Sequence, residues 1–416
     1  MFWILLLALF LRLINLNQPL WLDEAFQFKS TYYFSVKDLL TVYLPGDFNP
    51  PLSYLINFGF SRLFGFSEIA LRLPAVIFGV LTVWLVYKLG GKWPALLLAT
   101  SGLHIYYSQE ARMYSLAALA VTASFYFLRQ KRWFWYSVFS LMSIYSHYLT
   151  VFVFPAQIII SKKQDLKKLL LSWVGIVVGF LPWLPVFVKQ LAAGQQTAGT
   201  NWGEIVGGLS LKNLSLIPVK FLIGRISIAN NQLYALLVIP PFILTAYLLF
   251  RALRRKNLLL AVWLFVPAVL IILLSCKLPV LSYFRLLFLL PAFYLLVARS
   301  KQKKLLCLLV GFNLACSLIY LFNPAFHRED WRGLSQQIIA GPVVINPAVN
   351  APLKYYYAGE ILGTDSLPEE NFYYITYAEP IFDPEQKFKQ QAAETGFQET
   401  SVQHFRGNLT LIEYNQ

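Results

Sequence analysis

The chain has 416 residues, of which 57% are hydrophobic, 17% aromatic and only 13% charged, with a mean hydropathy of +0.56. That balance excludes an ordinary soluble domain and indicates a polytopic membrane protein. The net charge of +15 does not point to nucleic acid, because 17 of the 35 Lys and Arg lie in five short clusters between apolar segments.

The first apolar segment, Phe2–Leu16, has no basic residues ahead of it and no small-residue cleavage site near Leu20. It is expected to stay as a first helix rather than be removed as a signal peptide. Arg12 falls within it and either snorkels outward or faces the bundle interior. Directly after it, Trp21-Leu22-Asp23-Glu24-Ala25 sets two adjacent carboxylates where a membrane helix meets water. A carboxylate there can take a proton or hold a cation beside a lipid-borne substrate. The plainer alternative is an acidic pair that only marks the interface. The outer segment 17–68 continues through the aromatic stretch Phe26–Leu44 to Asn49-Pro50-Pro51-Leu52, a turn, and then a juxtamembrane helix at 52–66. Asp47 precedes the turn, where loop solvation and substrate contact are equally open to it.

Five basic clusters punctuate the apolar runs: Lys88–Lys92, Arg129–Arg132, Lys162–Lys168, Arg251–Lys256 and Arg299–Lys304. They span 28 residues and hold 17 Lys or Arg, with Asp165 as their one acid. This bias assigns them to the cytoplasmic side. About eleven spans result from the rule of roughly 20 residues per crossing: 1–16, 69–88, 93–108, 112–129, 133–147, 149–161, 169–188, 233–250, 257–275, 283–299 and 304–322. Several are short, so kinks or a re-entrant pair at 133–161 are expected. The odd count puts the N-terminus inside and the C-terminus outside. Two further outer segments follow the first, one around Gln109–Arg112 and one over 189–232, the latter holding Lys189, Lys212, Lys220 and Arg225.

The membrane domain is expected over 1–323 and a small α/β domain over 324–416 on the outer face. In the tail, Gly341–Asn346, Phe372–Tyr377, Ser401–Phe405 and Leu409–Tyr414 read as strands, the last two joined at Gly407-Asn408. Glu329–Ala340 and Glu385–Thr395 read as helices. Cys276, Cys307 and Cys316 are too few and too apolar in setting for a disulfide framework or a zinc site.

Other residues could carry chemistry. Glu110 and Arg112, in Tyr106-Tyr107-Ser108-Gln109-Glu110-Ala111-Arg112-Met113-Tyr114, sit at a second outer border, where ionisable side chains are costly. They form a structural pair, or Arg112 binds phosphate while Glu110 orients it. Arg72 anchors a helix start or meets substrate. His147 packs at an outer turn or acts on substrate. Lys277 and Arg285 bracket an outer turn and either clamp a lipid phosphate or snorkel. There is no phosphate-cradling Gly-rich loop, no HExxH and no GxSxG, which argues against a soluble nucleotide-using enzyme.

Taken in order, these motifs resemble a known family. Trp21-Leu22-Asp23-Glu24-Ala25 is similar to the first-loop motif of GT-C glycosyltransferases, in the protein-O-mannosyltransferase-like group that includes aminoarabinose transferases. Asn49-Pro50-Pro51-Leu52 resembles that group's His-Pro-Pro-Leu, with Asn in place of His. Arg72-Leu73-Pro74-Ala75, the Tyr107–Tyr114 run, Ser146-His147-Tyr148 and Glu329-Asp330-Trp331-Arg332-Gly333 also match. The resemblance implies an integral membrane, inverting transferase that moves a sugar from a polyprenyl-phosphate donor to an acceptor hydroxyl on the outer face of the plasma membrane. The acceptor would be a glycan, lipid or protein. It maps the catalytic base to Asp23, with Glu24 beside it; read from their own positions, Asp47, Arg72, Glu110, Arg112, Tyr114, His147, Lys277 and Arg285 are the candidate substrate contacts. Some members bind a divalent metal, for which Asp23 and Glu110 would be the two acids. The rival reading is a transporter or lipid flippase. Inverted repeats and helices broken in matching halves would mark that class, and the sequence carries no such symmetry.

Overall fold

The computed structural model describes residues 1–198, 207–255 and 257–416, with backbone only at 196–198. Lys256 and residues 199–206 of the third outer segment lie outside the described residues. The chain divides into two compact units, one of 1–16, 34–65 and 69–326, the other of 17–33, 66–68 and 327–416. The first loop is thus shared: its acidic helix belongs with the tail, and its Pro-rich turn with the membrane helices.

In the first unit four helices are long and apolar enough to cross a membrane, Glu68–Gly90, Lys163–Gln195, Asn231–Leu253 and Lys303–Phe322. Most of the other expected spans are shorter or broken. The run at 93–108 separates into Lys92–Ala99 and Gly102–Ser108. The run at 149–161 begins as a 3₁₀ turn, Tyr148–Phe152, before the helix Val153–Ile160. The run at 283–299 is helical only from Leu290 to Ala298, after a 3₁₀ turn at Leu287–Leu289.

A broken helix in an apolar setting must still satisfy its carbonyls. Asn313 Nδ2 donates to the Leu97 carbonyl at 3.2 Å, and Ser317 Oγ donates to the Thr100 carbonyl at 2.7 Å. Gly224, at φ +68°, passes so close to Gly102 that an added Cβ would lie 2.8 Å from the Gly102 carbonyl carbon. Arg12 faces the interior: fully buried, it donates to the Ala8 and Ala99 carbonyls at 2.8 and 3.2 Å and contacts His104 Nδ1 at 2.6 Å. Gln109 Nε2 donates to the Ile14 carbonyl at 2.6 Å and the Arg12 carbonyl at 3.1 Å. The end of the first helix is thereby pinned to the segment that carries Glu110 and Arg112.

The second unit holds a mixed five-stranded sheet, β1 (Val343–Ile345), β2 (Ile361–Leu362), β3 (Phe372–Thr376), β4 (Gln398–Phe405) and β5 (Leu409–Asn415), in the order β2-β1-β3-β5-β4. β1 is parallel to β2 and β3, while β3-β5-β4 is antiparallel. Strand alternation sends side chains to both faces, and both are covered. Phe372, Tyr374 and Tyr414 pack with Phe388 of the helix Lys387–Glu394. Val343, Ile345, Ile375 and Leu411 pack with Trp331, Leu334, Leu353 and Leu22. Leu22 opens the helix Leu22–Tyr32, so that apolar contact seats Asp23 against the sheet unit. Burying one such leucine contributes about 1.5–3 kcal/mol. The helix expected at 329–340 is only Trp331–Ser335, whereas β2 and the helix Ala351–Tyr356 were not expected.

Candidate active site

The acidic helix of the second unit separates its two acids by environment. Asp23 is half-buried. Glu24 is fully buried, and its Oε2 lies 3.1 Å from Arg328 Nε, itself 1% exposed. Arg328 is held in place through its backbone, whose N–H donates to Gln18 Oε1 at 3.0 Å and whose carbonyl accepts from Arg406 Nε at 2.6 Å. Glu24 therefore fastens the helix, leaving Asp23 as the more accessible carboxylate.

Glu329 joins this neighbourhood. Trp331 Nε1 donates to its Oε2 at 2.8 Å, Tyr377 donates to its Oε1 at 2.6 Å, and the Leu22 backbone N–H at the start of the acidic helix also reaches it. Desolvation, with the Asp23 charge adding to it, raises the Glu329 carboxyl above its ordinary range despite those donors. One turn beyond Asp23, Gln27 is fully buried, and neither its amide nitrogen nor its oxygen has a hydrogen-bond partner among the described residues.

The first unit builds a separate polar cluster around the Pro-rich turn. Asp47 Oδ1 accepts from Asn49 N at 3.0 Å and Asn49 Nδ2 at 2.8 Å, and its Oδ2 accepts from the Tyr54 hydroxyl at 2.6 Å. Asp47 thus organises the turn, and Asn49 supplies an amide donor where the resembling motif has His. Burial first, then the Asp47 charge, holds the Tyr54 hydroxyl protonated well above its usual range. The same hydroxyl accepts from Arg112 Nη1 at 3.4 Å.

From this turn runs a largely apolar cleft of about 490 Å³, with Asn49, His147, Tyr148, Gln190, Gln195 and Arg285 as its polar lining. Gln190 Nε2 donates to the Leu44 and Asn49 carbonyls at 2.7 and 3.0 Å, while its Oε1 accepts from Tyr148, whose hydroxyl accepts from Trp183 Nε1 at 2.8 Å. That chain fixes one wall. An apolar channel with a cation and a few oriented polar groups suits a lipid chain bearing an anionic head.

The other expected residues are distributed as follows. Arg285 lines the cleft and donates to the Pro279 carbonyl at 2.9 Å. Lys277 is exposed and does not line it. His147 accepts from Leu149 N at 3.2 Å, capping the turn Tyr148–Phe152. Tyr114 is buried, with its ring centroid 6.1 Å from that of His147. Arg72 is fully buried and donates to the Leu16 carbonyl at 2.8 Å, an anchoring contact. Glu110 is fully buried and is one of the charges acting on Arg225, whose guanidinium carbon lies 4.8 Å from the centre of the Tyr106 ring and which donates to the Tyr283 hydroxyl.

Sequence reading singled out neither Gln190, Trp183, Arg328 nor Gln27. The first two are uncharged and near an apolar run, and Arg328 directly precedes a quoted motif. Among the described residues, no three His, Cys, Asp or Glu side chains gather closely enough to hold a metal. Asp23 and Glu110 belong to different units. Among the described residues, no donor set fits a protein-held divalent ion.

The architecture is one of apolar helices in one unit and a mixed sheet in the other, with the acidic helix and the Pro-rich turn following the first helix in the chain. Crystal structures of ArnT from Cupriavidus metallidurans share it. The apo state matches with a TM-score of 0.59 at 12% identity, covering 99% of this chain and 97% of that one. The form bound to undecaprenyl phosphate matches at 0.57 and 13% identity, with the same coverage. The chain therefore has the ArnT-like fold that its motif series implied. No family model and no curated protein matches the sequence.

Proposed function

We propose that this chain is an integral membrane glycosyltransferase that moves a sugar from a polyprenyl-phosphate donor to an acceptor hydroxyl on the extracytoplasmic side, with inversion and with Asp23 as base. The observation that carries the reading is the near full-length likeness to ArnT, one of whose structures holds undecaprenyl phosphate. The apolar cleft, with Arg285 in its lining, supports it, because it offers a prenyl chain an apolar wall and the phosphate a cation.

In this mechanism the Asp23 carboxylate takes the acceptor's hydroxyl proton. The oxygen attacks the anomeric carbon from the face opposite the phosphate. The bond from that carbon to the phosphate oxygen breaks, and its electron pair leaves with the lipid phosphate. That leaving group already carries negative charge, so cations rather than a general acid stabilise its departure. Arg112 and Arg285 are assigned that task in the membrane unit. Glu24 holds the helix on which Asp23 sits.

The test compares the glycans of the cell envelope by mass spectrometry in cells with the wild-type gene, without it, and with Asp23→Asn. The expected result is that Asp23→Asn reproduces the deletion while the purified variant keeps the wild-type melting temperature. Wild-type glycans in the Asp23→Asn strain would overturn the assignment of the base. Glycans unchanged by the deletion itself would overturn the transferase reading.

A further inference from the structure

A second cavity lies in the membrane unit, apart from the Pro-rich turn and its cleft. It measures about 460 Å³ and opens where several helices end in basic loops. Its rim carries Arg129, Lys131, Lys162 and Arg299, drawn from three of the five basic clusters. One acid, Asp165, faces these four cations, and it is taken by Lys131 at 2.9 Å. Arg129 makes a long contact to the Leu89 carbonyl at 3.4 Å. No carboxylate pairs with Lys162 or Arg299 among the described residues.

Below the rim the lining is apolar. Phe125 and Trp263 stack with ring centroids 3.9 Å apart and an interplanar angle of 11°, and Leu128 and Leu295 complete the base. Leu258 and Leu259, also on the wall, are exposed, as residues facing lipid would be.

The bias of basic loops toward one membrane side explains why Lys and Arg are frequent there. It does not explain a concave space with cations around its mouth and aromatic and leucine side chains at its base. A small inorganic anion would use the rim and leave the apolar base without a partner. An anionic phospholipid would use both, since basic pockets between membrane helices are the usual form of a headgroup site. We infer that this cavity binds the phosphate headgroup of an anionic phospholipid at the rim and the first carbons of its acyl chains on the Phe125–Trp263 base. The site does not depend on the glycosyl-transfer reading and takes no part in it.

The experiment uses the purified full-length protein, loaded with equimolar phosphatidylglycerol and phosphatidylcholine and read by native mass spectrometry for retained lipid. Phosphatidylglycerol is expected to be retained preferentially. Each cation removed from the rim, Lys162→Gln and Arg299→Gln, should lower that preference about fivefold. Lys303→Gln and Lys304→Gln remove charge from the same loop but outside the cavity, and should leave the preference unchanged.

Three results would overturn the inference. One is equal retention of the two lipids. Another is a loss in the Lys303 and Lys304 variants as large as in the rim variants, which would mean diffuse attraction. The last is displacement of phosphatidylglycerol by soluble glycerol phosphate at matching concentration, which would remove the role of the apolar base.

Discussion

The pair Glu24–Arg328 gives the sharpest prediction about the acidic helix. Both side chains are withdrawn from water, at 0% and 1% exposure, with 3.1 Å between Oε2 and Nε. In that setting the mutual attraction offsets a large desolvation cost, and removing one partner takes from the other buried charge the ion pair that offsets it. Breaking such a pair costs about 3–5 kcal/mol. Glu24→Gln keeps the shape and removes the charge, and Arg328→Met keeps most of the volume. Each is expected to lower the melting temperature of the sheet unit by roughly 12–20 °C, taking about 4 °C per kcal/mol for a domain of this scale. The double variant Glu24→Gln with Arg328→Met buries no charge, so its loss should be smaller than the sum of the singles by about 2 kcal/mol or more. The assay is thermal unfolding of the purified protein, followed by a probe in the sheet unit such as Trp331 fluorescence. Single variants that shift the midpoint by less than a few degrees, or a double variant whose loss equals the sum, would refute the role of Glu24 as a fastening.

Three further outcomes follow from the same geometry. The Glu329 carboxyl holds its proton to a higher pH in the folded state, chiefly through desolvation. As pH rises above the ordinary value of about 4.5 the unfolded chain releases that proton first, so stability falls until the folded group also ionises. Glu329→Gln should flatten that part of a melting curve series taken from roughly pH 4 to 7, and an unchanged slope would contradict the shift. Asp47→Ala removes the acceptor for Asn49 and Tyr54, each lost partner costing about 1–3 kcal/mol, so faster amide exchange over residues 44–54 is expected, and unchanged protection would show that Asp47 does not hold the turn. In a transfer assay, Arg285→Gln should raise the KM for the lipid donor about tenfold or more, while Lys277→Gln, which lies outside the cleft, should leave it near wild type. The reverse order would assign the phosphate contact to Lys277.

How much of this was legible in the sequence depended on the range of the interaction. The juxtamembrane helix expected at 52–66 forms as Leu52–Phe64, and the hairpin marked by Gly407-Asn408 forms with both residues at positive φ, 91° and 58°. Both rest on local rules, an apolar run and a turn that favours those two residues. The two-residue strand β2 carried no such signal, because a strand that short is defined by its pairing with β1. Helix breaks were the hardest to place. Thr100-Ser101-Gly102 reads as an ordinary stretch of a span, and the donors to the carbonyls around the break, Arg12, Asn313 and Ser317, all come from far along the chain.

The candidate site follows the same division. Asp23 and Glu24 are adjacent and chemically alike, so no argument from their own position could assign them different roles. The difference lies in Arg328, which the fold brings to one of them. A buried cation neutralises Glu24 and commits it to structure, while Asp23, only half-buried, keeps the solvent access that a base requires. The same logic applies at Asn49. Its amide can donate to Asp47 at any pH, whereas a His there would donate from a given nitrogen only in one tautomer or when charged. The departure from the resembling motif therefore preserves a donor at the turn and removes a titrating group from the lining of the cleft.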